Sequence, residues 1–292
     1  MNTPTQITVA YQGIEGAYSH LACKKVFPDH RALACENFQS AIQLVEQGQA
    51  DYAMIPLENS TAGRVEEIYR LLPNTHLSII AEHFEPVNHC LLALPGTQLE
   101  AIKTVSSHPQ ALAQCFHRLE ALKITPLVAM DTALSAKDLA SKKDAQSVYG
   151  SHGAIASTLA AELYGLDVIA ESFQDVGGNT TRFIVLAKQA IDADYDPKQH
   201  YISSLLFSVR NIPAALYKAL GGFATNGVNM IKLESYMDGG TMEASHFHID
   251  VDGHYRQQAL QNALEELNFF AKEVRILGSY PAHKYRRKHE FV

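Results

Sequence analysis

The stretch GGNTTRFIVLA, residues 177–187, passes from a pair of glycines through polar residues into an apolar run. The apolar residues 184–187 predict a buried β-strand, and the glycines predict a loop before it. Thr180, Thr181 and Arg182 therefore lie where a loop becomes a strand, a position that holds hydrogen-bond donors rigidly. Since such junctions line the mouths of clefts, we predict that the chemistry of this chain is located here.

The chain has 292 residues, of which 47% are hydrophobic and 19% charged, as is typical of a folded globular protein with room for two domains. The net charge of −7 disfavours nucleic acid and anionic membranes as partners, because both bind concentrated positive charge. The four cysteines lack the short spacing of zinc sites and redox pairs. With a polar N-terminus and no bilayer-length apolar run, we predict a cytoplasmic protein. The basic residues at 283–289 are predicted to be a solvated tail, with a contact to a partner or an anion as the alternative.

In residues 7–170, predicted strands alternate with predicted helices, which indicates an α/β fold with a mostly parallel sheet. Gly13 and Gly16 predict a tight turn after the first strand. They do not complete a nucleotide-binding pattern, so nucleotide binding is a minor alternative. Residues 85–95 are predicted to be extended, as a crossing strand, and residues 109–122 are predicted to form one helix.

Polar side chains occupy the carboxyl ends of two predicted strands, where ligands bind in sheets of this kind. Asn59 and Ser60 follow one strand, and Ser107 follows another. Helix capping is the alternative explanation, because Asn and Ser are favoured caps and Gln110 stands at the capping-box spacing from Ser107. Gln114 shares a helix face with Gln110, and simple solvent exposure is the alternative there.

The alternation of strands and helices is repeated in the middle of the chain. We therefore predict two lobes with a cleft between them, one formed by residues 7–85 with 180–190 and the other by residues 86–179. A polar linker at residues 188–198 predicts a domain boundary near residue 195.

After this boundary the predicted order becomes strand, helix, strand, strand, helix, strand, which is that of a ferredoxin-like βαββαβ module. The predicted elements are residues 201–209, 213–224, 228–237, 241–251, 256–267 and 273–280. In the third strand of this module four polar residues share one face: His246, His248, Asp250 and Asp252. The polar face of a one-sided sheet explains them, and a metal site is the alternative.

Four stretches resemble, in order and spacing, the signatures of the prephenate dehydratase family: YQGIEGAYSH at 11–20, IPLENS at 55–60, SHPQALAQC at 107–115 and NTTRF at 179–183. The resemblance covers residues 7–187. Residues 201–280 resemble the amino-acid-sensing ACT domain of that family. No chorismate mutase segment precedes the first strand, so the resemblance is to the monofunctional form.

The resemblance implies a two-lobed, periplasmic-binding-protein-like catalytic domain at residues 1–194 and an ACT regulatory domain at residues 195–292. It also implies a lyase of phenylalanine biosynthesis that converts prephenate to phenylpyruvate, with loss of carbon dioxide and water. Since aromatisation of the ring drives this reaction, no metal, redox cofactor or covalent nucleophile is expected. The enzyme has to hold two carboxylates and position the departing hydroxyl.

Carried over residue by residue, the resemblance assigns catalysis to four residues: Thr181, Asn59, Ser107 and Gln114. Thr181 is the expected donor to the departing hydroxyl. It assigns substrate binding to Ser60, Thr180, Arg182 and Phe183. Arg182 suits a substrate carboxylate because its planar guanidinium binds such groups through two hydrogen bonds. In a regular strand, however, Thr181 and Arg182 point to opposite faces, so both reach the substrate only if the backbone is irregular.

The ACT resemblance implies feedback inhibition by L-phenylalanine, bound between paired modules near six candidate residues: Leu216, Asn226, Gly227, Asn229, Glu234 and Ser235. Two family motifs are altered, since the usual Glu-Ser-Arg-Pro is Glu-Ser-Tyr-Met at 234–237 and Pro-Gly-Ala-Leu is Pro-Ala-Ala-Leu at 213–216. A module that only packs into a dimer is the alternative. Because ACT modules pair, we predict a homodimer or a homotetramer.

Two other functions remain open. Arogenate dehydratase performs the same elimination on the transaminated substrate, and the residues alone do not separate it from prephenate dehydratase. A non-catalytic small-molecule sensor also suits a cleft with an ACT module, but such a sensor has no need for Thr181, Asn59 and Gln114 together.

Overall fold

The computed structural model describes residues 6–142, 151–189, 195–210, 212–237 and 244–287. The chain divides into two compact units, each built from separate segments. The first contains Met1–Ala41, Pro56–Arg64 and Glu85–Phe183, and the second contains Ile42–Ile55, Val65–Phe84 and Ile184–Val292. The predicted domains, 1–194 and 195–292, and the two-lobed arrangement stay predictions. Parts of three predicted features lie outside the described residues, namely linker residues 190–194, strand residues 241–243 and the basic residues Lys288 and His289.

Strands and helices alternate through most of the chain, so the predicted α/β fold is confirmed. The strands are β1 Thr8–Gln12, β2 Arg31–Cys35, β3 Tyr52–Asn59, β4 Gly63–Arg64, β5 Ser78–Pro86, β6 Cys90–Ala93, β7 Thr104–Ser107, β8 Thr125–Val128, β9 His152–Ala156, β10 Asp167–Ala170, β11 Thr180–Ala187, β12 Tyr201–Val209, β13 Met230–Met237, β14 Ala244–Asp252 and β15 Ala271–Pro281. The helices are α1 Tyr18–Val26, α2 Phe38–Glu46, α3 Glu66–Leu71, α4 Pro109–Gln114, α5 Phe116–Ala121, α6 Thr132–Ala140, α7 Thr158–Tyr164, α8 Ala215–Thr225, α9 Gln258–Phe270 and α10 Lys284–Arg287.

The strands form three sheets. The first has the order β2-β1-β3-β11-β5, with β4 paired to β3, and the second has the order β10-β6-β9-β7-β8. In the second sheet β7 is parallel to β8 and β9, whereas β6 is antiparallel to β9 and β10. This sheet is therefore mixed, and the predicted mostly parallel arrangement is wrong for it.

Strand β5 was not expected from the sequence, which predicted extended chain only from residue 85. Its apolar pattern is interrupted by two glutamates, Glu82 and Glu85, that are buried and paired. Arg286 pairs with Glu82, and Lys25 lies 2.5 Å from Glu85. Because a sequence pattern treats carboxylates as surface residues, such a strand cannot be identified from hydrophobic alternation.

The third sheet has the order β13-β14-β12-β15, and its strand pairs are antiparallel. With α8 after β12 and α9 after β14, the predicted ferredoxin-like βαββαβ order is confirmed. One face of this sheet packs with the two helices in a core that contains Phe207, Phe223 and Phe247. These side chains come from the alternating positions that the sequence predicted to face inward.

The opposite face of the third sheet is buried at its centre, so the predicted solvated polar face is wrong there. His248 and Asp250 are fully buried, and their Nε2 and Oδ1 atoms are 3.4 Å apart. Ser204 donates to Asp250, and the ring of Tyr69 lies 5.6 Å from that of His248. Among the residues that the structure describes, no three His, Cys, Asp or Glu side chains are grouped as a metal site.

The beginning of the basic C-terminal cluster is also packed, and the predicted solvated tail is wrong for it. Arg286 donates two hydrogen bonds to Glu82, at 2.6 and 2.8 Å, and Tyr285 stacks on Phe84 at 4.6 Å. Charge pairing with a buried glutamate explains why this segment is held against β5. Across the described residues, no helix combines the length and hydrophobicity that a membrane crossing requires.

Candidate active site

A cavity of about 250 Å³ lies within the first unit. It is lined by twelve residues: Tyr18, Asn59, Val87, His89, His108, Gln110, Ala111, Gln114, Asp131, Thr132, Asn179 and Thr181. Three of the four predicted catalytic residues, Asn59, Gln114 and Thr181, are among them. Most of the lining is polar and capable of hydrogen bonding, which suits a small polar ligand.

Asn59, at the end of β3, is held in one orientation by the turn that follows it. Its Oδ1 accepts hydrogen bonds from the backbone N–H groups of Thr61 and Ala62, at 3.0 and 2.9 Å, and from the Thr61 hydroxyl. Because Oδ1 is fully used by the turn, the amide NH₂ faces away from it. Asn59 therefore both caps the turn and lines the cavity.

The NH₂ group of Asn59 donates to the Thr181 hydroxyl oxygen at 2.9 Å. The hydroxyl oxygen of Thr181 is therefore an acceptor for Asn59, and its own hydrogen is directed elsewhere. Since Thr181 lines the cavity, that hydrogen is available to a ligand there. The pair thus presents one oriented O–H donor to the cavity, as a leaving hydroxyl requires.

Gln114 lies at the end of α4 and joins a second network on the cavity wall. Its Oε1 accepts from Asn179 Nδ2 at 3.1 Å and contacts His89 Nε2 at 2.8 Å, while its Nε2 donates to Thr61 at 3.1 Å. Solvent exposure alone, the sequence alternative for Gln114, does not account for these three contacts. The amide is oriented by its neighbours.

Ser60 and Thr180 join the end of β3 to the start of β11. The backbone N–H of Ser60 donates to the Thr180 carbonyl at 2.9 Å, and the Thr180 N–H donates to the Ser60 hydroxyl at 3.0 Å. Neither residue is among those that line the cavity. Their contacts fix Asn59 and Thr181 relative to each other, which differs from the direct substrate binding expected for them.

Arg182 and Phe183 are buried, with 2% and 1% exposure, and neither lines the cavity. Strand β11 begins at Thr180, so the pleat turns Arg182 away from the side of Thr181. Arg182 donates to Glu58 at 2.9 Å. The expectation that Arg182 contacts a substrate carboxylate does not fit this geometry, because its guanidinium neutralises a carboxylate of the protein.

Ser107 is fully buried and donates to the Ile155 carbonyl at 2.6 Å, so its hydroxyl is used within the second sheet. The predicted capping box is also wrong, since the residue before α4 that accepts the Gln110 N–H is His108. His108 accepts through Nδ1, so the N–H of its neutral ring is on Nε2. His108 lines the cavity and replaces Ser107 as the candidate from this motif.

Two further residues of the cavity, Tyr18 and His89, were not predicted as site residues from the sequence. Tyr18 is in the first turn of α1, and its hydroxyl lies 2.9 Å from both the Asn88 carbonyl and His89 Nδ1. Burial raises the pKa of Tyr18 well above its usual 10.0 and lowers the pKa of His89, so both rings are neutral. Tyr18 lies in the first of the four signature stretches, but no role of its own was assigned to it there. His89 comes directly before an apolar strand, where hydrophobic periodicity does not distinguish a site residue from a core residue.

The glycine turn before α1 is a packing feature. Gly16 has φ +87°, and a side chain there would meet Ala160 at 3.0 Å. Its carbonyl accepts from the Ser157 hydroxyl at 2.6 Å. Glycine is needed here for both the positive φ and the close approach, as the tight-turn interpretation predicted.

The six candidate effector residues lie in the second unit, on the ferredoxin-like module. Asn226 follows α8 and donates to Glu266, Gly227 has φ +67°, and Asn229 donates to Asp252 at 2.7 Å. Glu234 and Ser235 lie on the edge strand β13, and Leu216 is in the first turn of α8. A cavity of about 120 Å³ in this unit is lined by other residues.

Most of the chain is similar in sequence to known proteins. The model of the family described as prephenate dehydratase matches residues 9–191. A bifunctional N-acyl-homoserine lactone acylase/prephenate dehydratase of Komagataeibacter europaeus is 44% identical over 283 residues, covering 96% of this chain and 98% of that protein. Arogenate dehydratase/prephenate dehydratase 1 of Arabidopsis thaliana is 40% identical over 291 residues, covering 95% and 72%. The crystal structure of the prephenate dehydratase of Arthrobacter aurescens in complex with L-Phe is 29% identical, with a TM-score of 0.83 and coverage of 97% of both chains.

Proposed function

Since this chain belongs to the prephenate dehydratase family, we propose that it converts prephenate to phenylpyruvate, with loss of carbon dioxide and water. The family implies a dehydratase, and its members include arogenate dehydratases. The observation that carries the proposal is the Thr181 hydroxyl, which Asn59 orients at the wall of the cavity.

The reaction needs a substrate held in position and one hydrogen-bond donor to the departing hydroxyl. The ring carboxylate leaves as carbon dioxide, its bonding electrons enter the ring, and the ring hydroxyl takes up a proton and leaves as water. Aromatisation supplies the driving force, so the protein has to hold the substrate and stabilise the departing oxygen. A threonine hydroxyl is a weak acid, and Thr181 therefore acts through a preorganised hydrogen bond to that oxygen.

The cavity offers uncharged donors for the two carboxylates of prephenate. The side-chain amides of Gln110 and Gln114 and the Nε2–H of His108 line it. Within the described part of the chain, neither lysine nor arginine is among its lining residues. Hydrogen bonds to charged acceptors are strong even from neutral donors. Gln114 and His108 are accordingly proposed as carboxylate ligands, in place of Arg182.

An assay of the purified chain tests the proposal. Prephenate is added, and phenylpyruvate is detected by its ultraviolet absorbance. We expect turnover at about 1–10³ s⁻¹, the range of ordinary enzymes. Binding of prephenate by calorimetry without turnover would instead support the non-catalytic sensor.

Arogenate is a second candidate substrate, favoured by Asp131. This residue lines the cavity, and its Oδ1 accepts from the Leu134 N–H at 2.9 Å as the cap of α6. Arogenate carries an ammonium where prephenate carries a ketone, and a carboxylate in the wall attracts an ammonium. A partly buried ion pair of this kind contributes about 1.4 kcal/mol, or about tenfold in kcat/KM.

Asp131→Asn tests the choice between the two substrates. Asparagine also caps helices, so the bond to Leu134 is kept while the charge is removed. If arogenate is the preferred substrate, kcat/KM for arogenate falls about tenfold and that for prephenate is unchanged or rises. An equal effect on both substrates would show that Asp131 does not select between them.

We also propose that L-phenylalanine regulates the enzyme at the ferredoxin-like module, acting as an ACT domain. Support comes from the fold of the module and from the Arthrobacter aurescens relative, whose structure was solved with L-Phe. Calorimetry with L-phenylalanine should give a saturable signal below about millimolar concentration, equivalent to more than about 4 kcal/mol of binding free energy. The absence of a binding signal at that concentration would favour a module that only packs into a dimer and does not bind L-phenylalanine.

Self-association through this module is a further part of the proposal. Several large apolar side chains of the module are exposed: Ile212, Tyr217, Leu233, Phe269 and Ile276. Exposed apolar side chains are suited to a surface that a partner covers. Sedimentation should therefore give a homodimer or a homotetramer, and a monomer at all concentrations would contradict this.

A further inference from the structure

We propose that His89 is a positioning residue of the active site, which fixes the orientation of the Gln114 amide. This inference rests on the proposed dehydratase function and adds a residue to its machinery. His89 is buried, with 3% exposure, directly before β6, and its ring lines the cavity. All residues in the argument belong to the first unit.

The hydrogen-bond pattern of Gln114 requires His89 to donate. The Gln114 Oε1 accepts from Asn179 Nδ2, and its Nε2 donates to the Thr61 hydroxyl oxygen. The atom that faces His89 Nε2 at 2.8 Å is therefore a carbonyl oxygen, which can only accept. The hydrogen of the neutral His89 ring is consequently on Nε2.

The other side of the imidazole is held by Tyr18. Nδ1 lies 2.9 Å from the Tyr18 hydroxyl, which also donates to the Asn88 carbonyl at 2.9 Å. In the Nε2–H tautomer Nδ1 is an acceptor, so the ring nitrogen and this carbonyl share the single Tyr18 hydrogen. The backbone N–H of His89 donates to Gln174 Oε1 at 2.9 Å, which fixes the main chain as well. The ring is thus oriented at both nitrogens and at its backbone.

The consequence is a fixed direction for the Gln114 amide. Without a donor at the position of His89 Nε2, Oε1 keeps only Asn179 and Nε2 keeps Thr61, so the amide is held less firmly. Rotation of the amide reverses the donor and acceptor that it presents to the cavity. A substrate carboxylate then meets an oxygen instead of an N–H. Misplacement of a positioning group by about 1 Å can cost about 10²-fold in rate.

Two substitutions separate the two sides of the ring. In His89→Gln the side-chain NH₂ reaches the position of Nε2 and still donates to Gln114. In His89→Asn the amide is near the position of Nδ1, beside Tyr18, and no donor reaches Gln114. We expect His89→Asn to lose about 10²-fold in kcat for prephenate and His89→Gln to stay within about fivefold of the wild type.

A double-mutant cycle distinguishes positioning from a general structural effect. If His89 acts through Gln114, then His89→Asn added to Gln114→Ala reduces kcat by less than about twofold further. Full additivity of the two losses would overturn the proposal, as would equal activity of the Asn and Gln variants. A wild-type protein without activity on prephenate would overturn the proposed function instead. The failure of the His89 proposal is thereby distinguished from the failure of the proposed function.

A measurement on the unsubstituted protein remains decisive if His89→Asn does not fold. Nitrogen-15 spectra of the histidine rings report which ring nitrogen carries hydrogen. We expect the His89 signals to show the Nε2–H tautomer at neutral pH. The Nδ1–H tautomer would overturn the proposal, because Nε2 then has no hydrogen to donate to Gln114.

Discussion

At the scale of single residues, the site depends on side chains that other side chains have already oriented. Asn59 has one amide side occupied by its own turn, and only the other reaches Thr181. Gln114 is likewise held by Asn179 on one side and Thr61 on the other. Preorganised donors of this kind need no rearrangement during the reaction, which is the condition for their large effect on rate.

Arg182 stabilises the fold around the site and does not line the cavity. Its guanidinium is buried in the first unit and pairs with Glu58, which is about a third exposed. Glu58→Gln removes a negative charge that pairs with Arg182. We expect the free energy of unfolding to fall by about 2 kcal/mol, below the full cost of a completely buried pair because Glu58 is partly solvated.

Denaturant unfolding measures this change, with Glu67→Gln as the matched control. Glu67 is an exposed glutamate in the first turn of α3, and its substitution should change the unfolding free energy by less than about 0.5 kcal/mol. We further expect KM for prephenate to stay within about threefold in the folded Glu58→Gln protein. A large rise in KM of the Glu58→Gln protein with unchanged stability would contradict this and would support direct binding of the substrate by Arg182.

At the scale of elements, the backbone at the start of α8 is strained, and the replacement of a glycine in a sequence motif indicates where. The family motif Pro-Gly-Ala-Leu is Pro-Ala-Ala-Leu here, and Ala214 occupies the glycine position. Ala214 precedes α8 with φ 62° and ψ 22°, the left-handed region. A Cβ in this region costs about 1–2 kcal/mol, part of which alanine recovers through its lower entropy in the unfolded chain.

Ala214→Gly should therefore raise the free energy of unfolding by about 0.5–1 kcal/mol. The matched control is Ala224→Gly, because Ala224 is an exposed residue in the last turn of the same helix. There the same substitution should destabilise by about 0.5–1 kcal/mol. Thermal melts of the two variants are expected to shift in opposite directions, and a shift of both to lower temperature would contradict the strain at Ala214.

The elements that were predictable from the sequence are those with regular apolar patterns. The strands and helices of the ferredoxin-like module and the strand after Thr180 follow from alternation and periodicity. Strand β5 could not be predicted, because Glu82 and Glu85 are buried against basic partners distant in sequence. The cavity was predictable in part, since Asn59, Gln114 and Thr181 line it. His89 could not be found, since nothing local distinguishes a buried cavity histidine from a core one.

At the scale of the whole molecule, buried and partly buried histidines link stability to pH. Burial is the first cause that lowers the pKa of His20, His89 and His283 below the usual 6.5. In the unfolded chain these histidines take up protons as the pH falls through 6.5, whereas in the folded protein they do so only at lower pH. The unfolded state then binds more protons, so the free energy of unfolding falls as the pH drops below 6.5.

Urea unfolding at pH about 7.5, 6.5 and 5.5 checks this linkage. Stability should fall slightly between the first two values, because the unfolded histidines are half protonated at their usual pKa, and should fall further at the third. His20→Gln should reduce the loss, because glutamine does not titrate. A stability that rises between pH about 6.5 and 5.5 would contradict the lowered pKa values.

The central claim is that the Thr181 hydroxyl, oriented by Asn59, is the donor to the departing hydroxyl of the substrate. The most direct test is kcat for the conversion of prephenate to phenylpyruvate in Thr181→Val and Thr181→Ser, with thermal melts to establish folding. Valine keeps the shape without the hydroxyl, and serine keeps the hydroxyl. We predict that Thr181→Val loses about 10²–10³-fold in kcat while Thr181→Ser stays within about tenfold of the wild type. A folded valine variant with near-normal turnover, or a serine variant as inactive as valine, would contradict the claim.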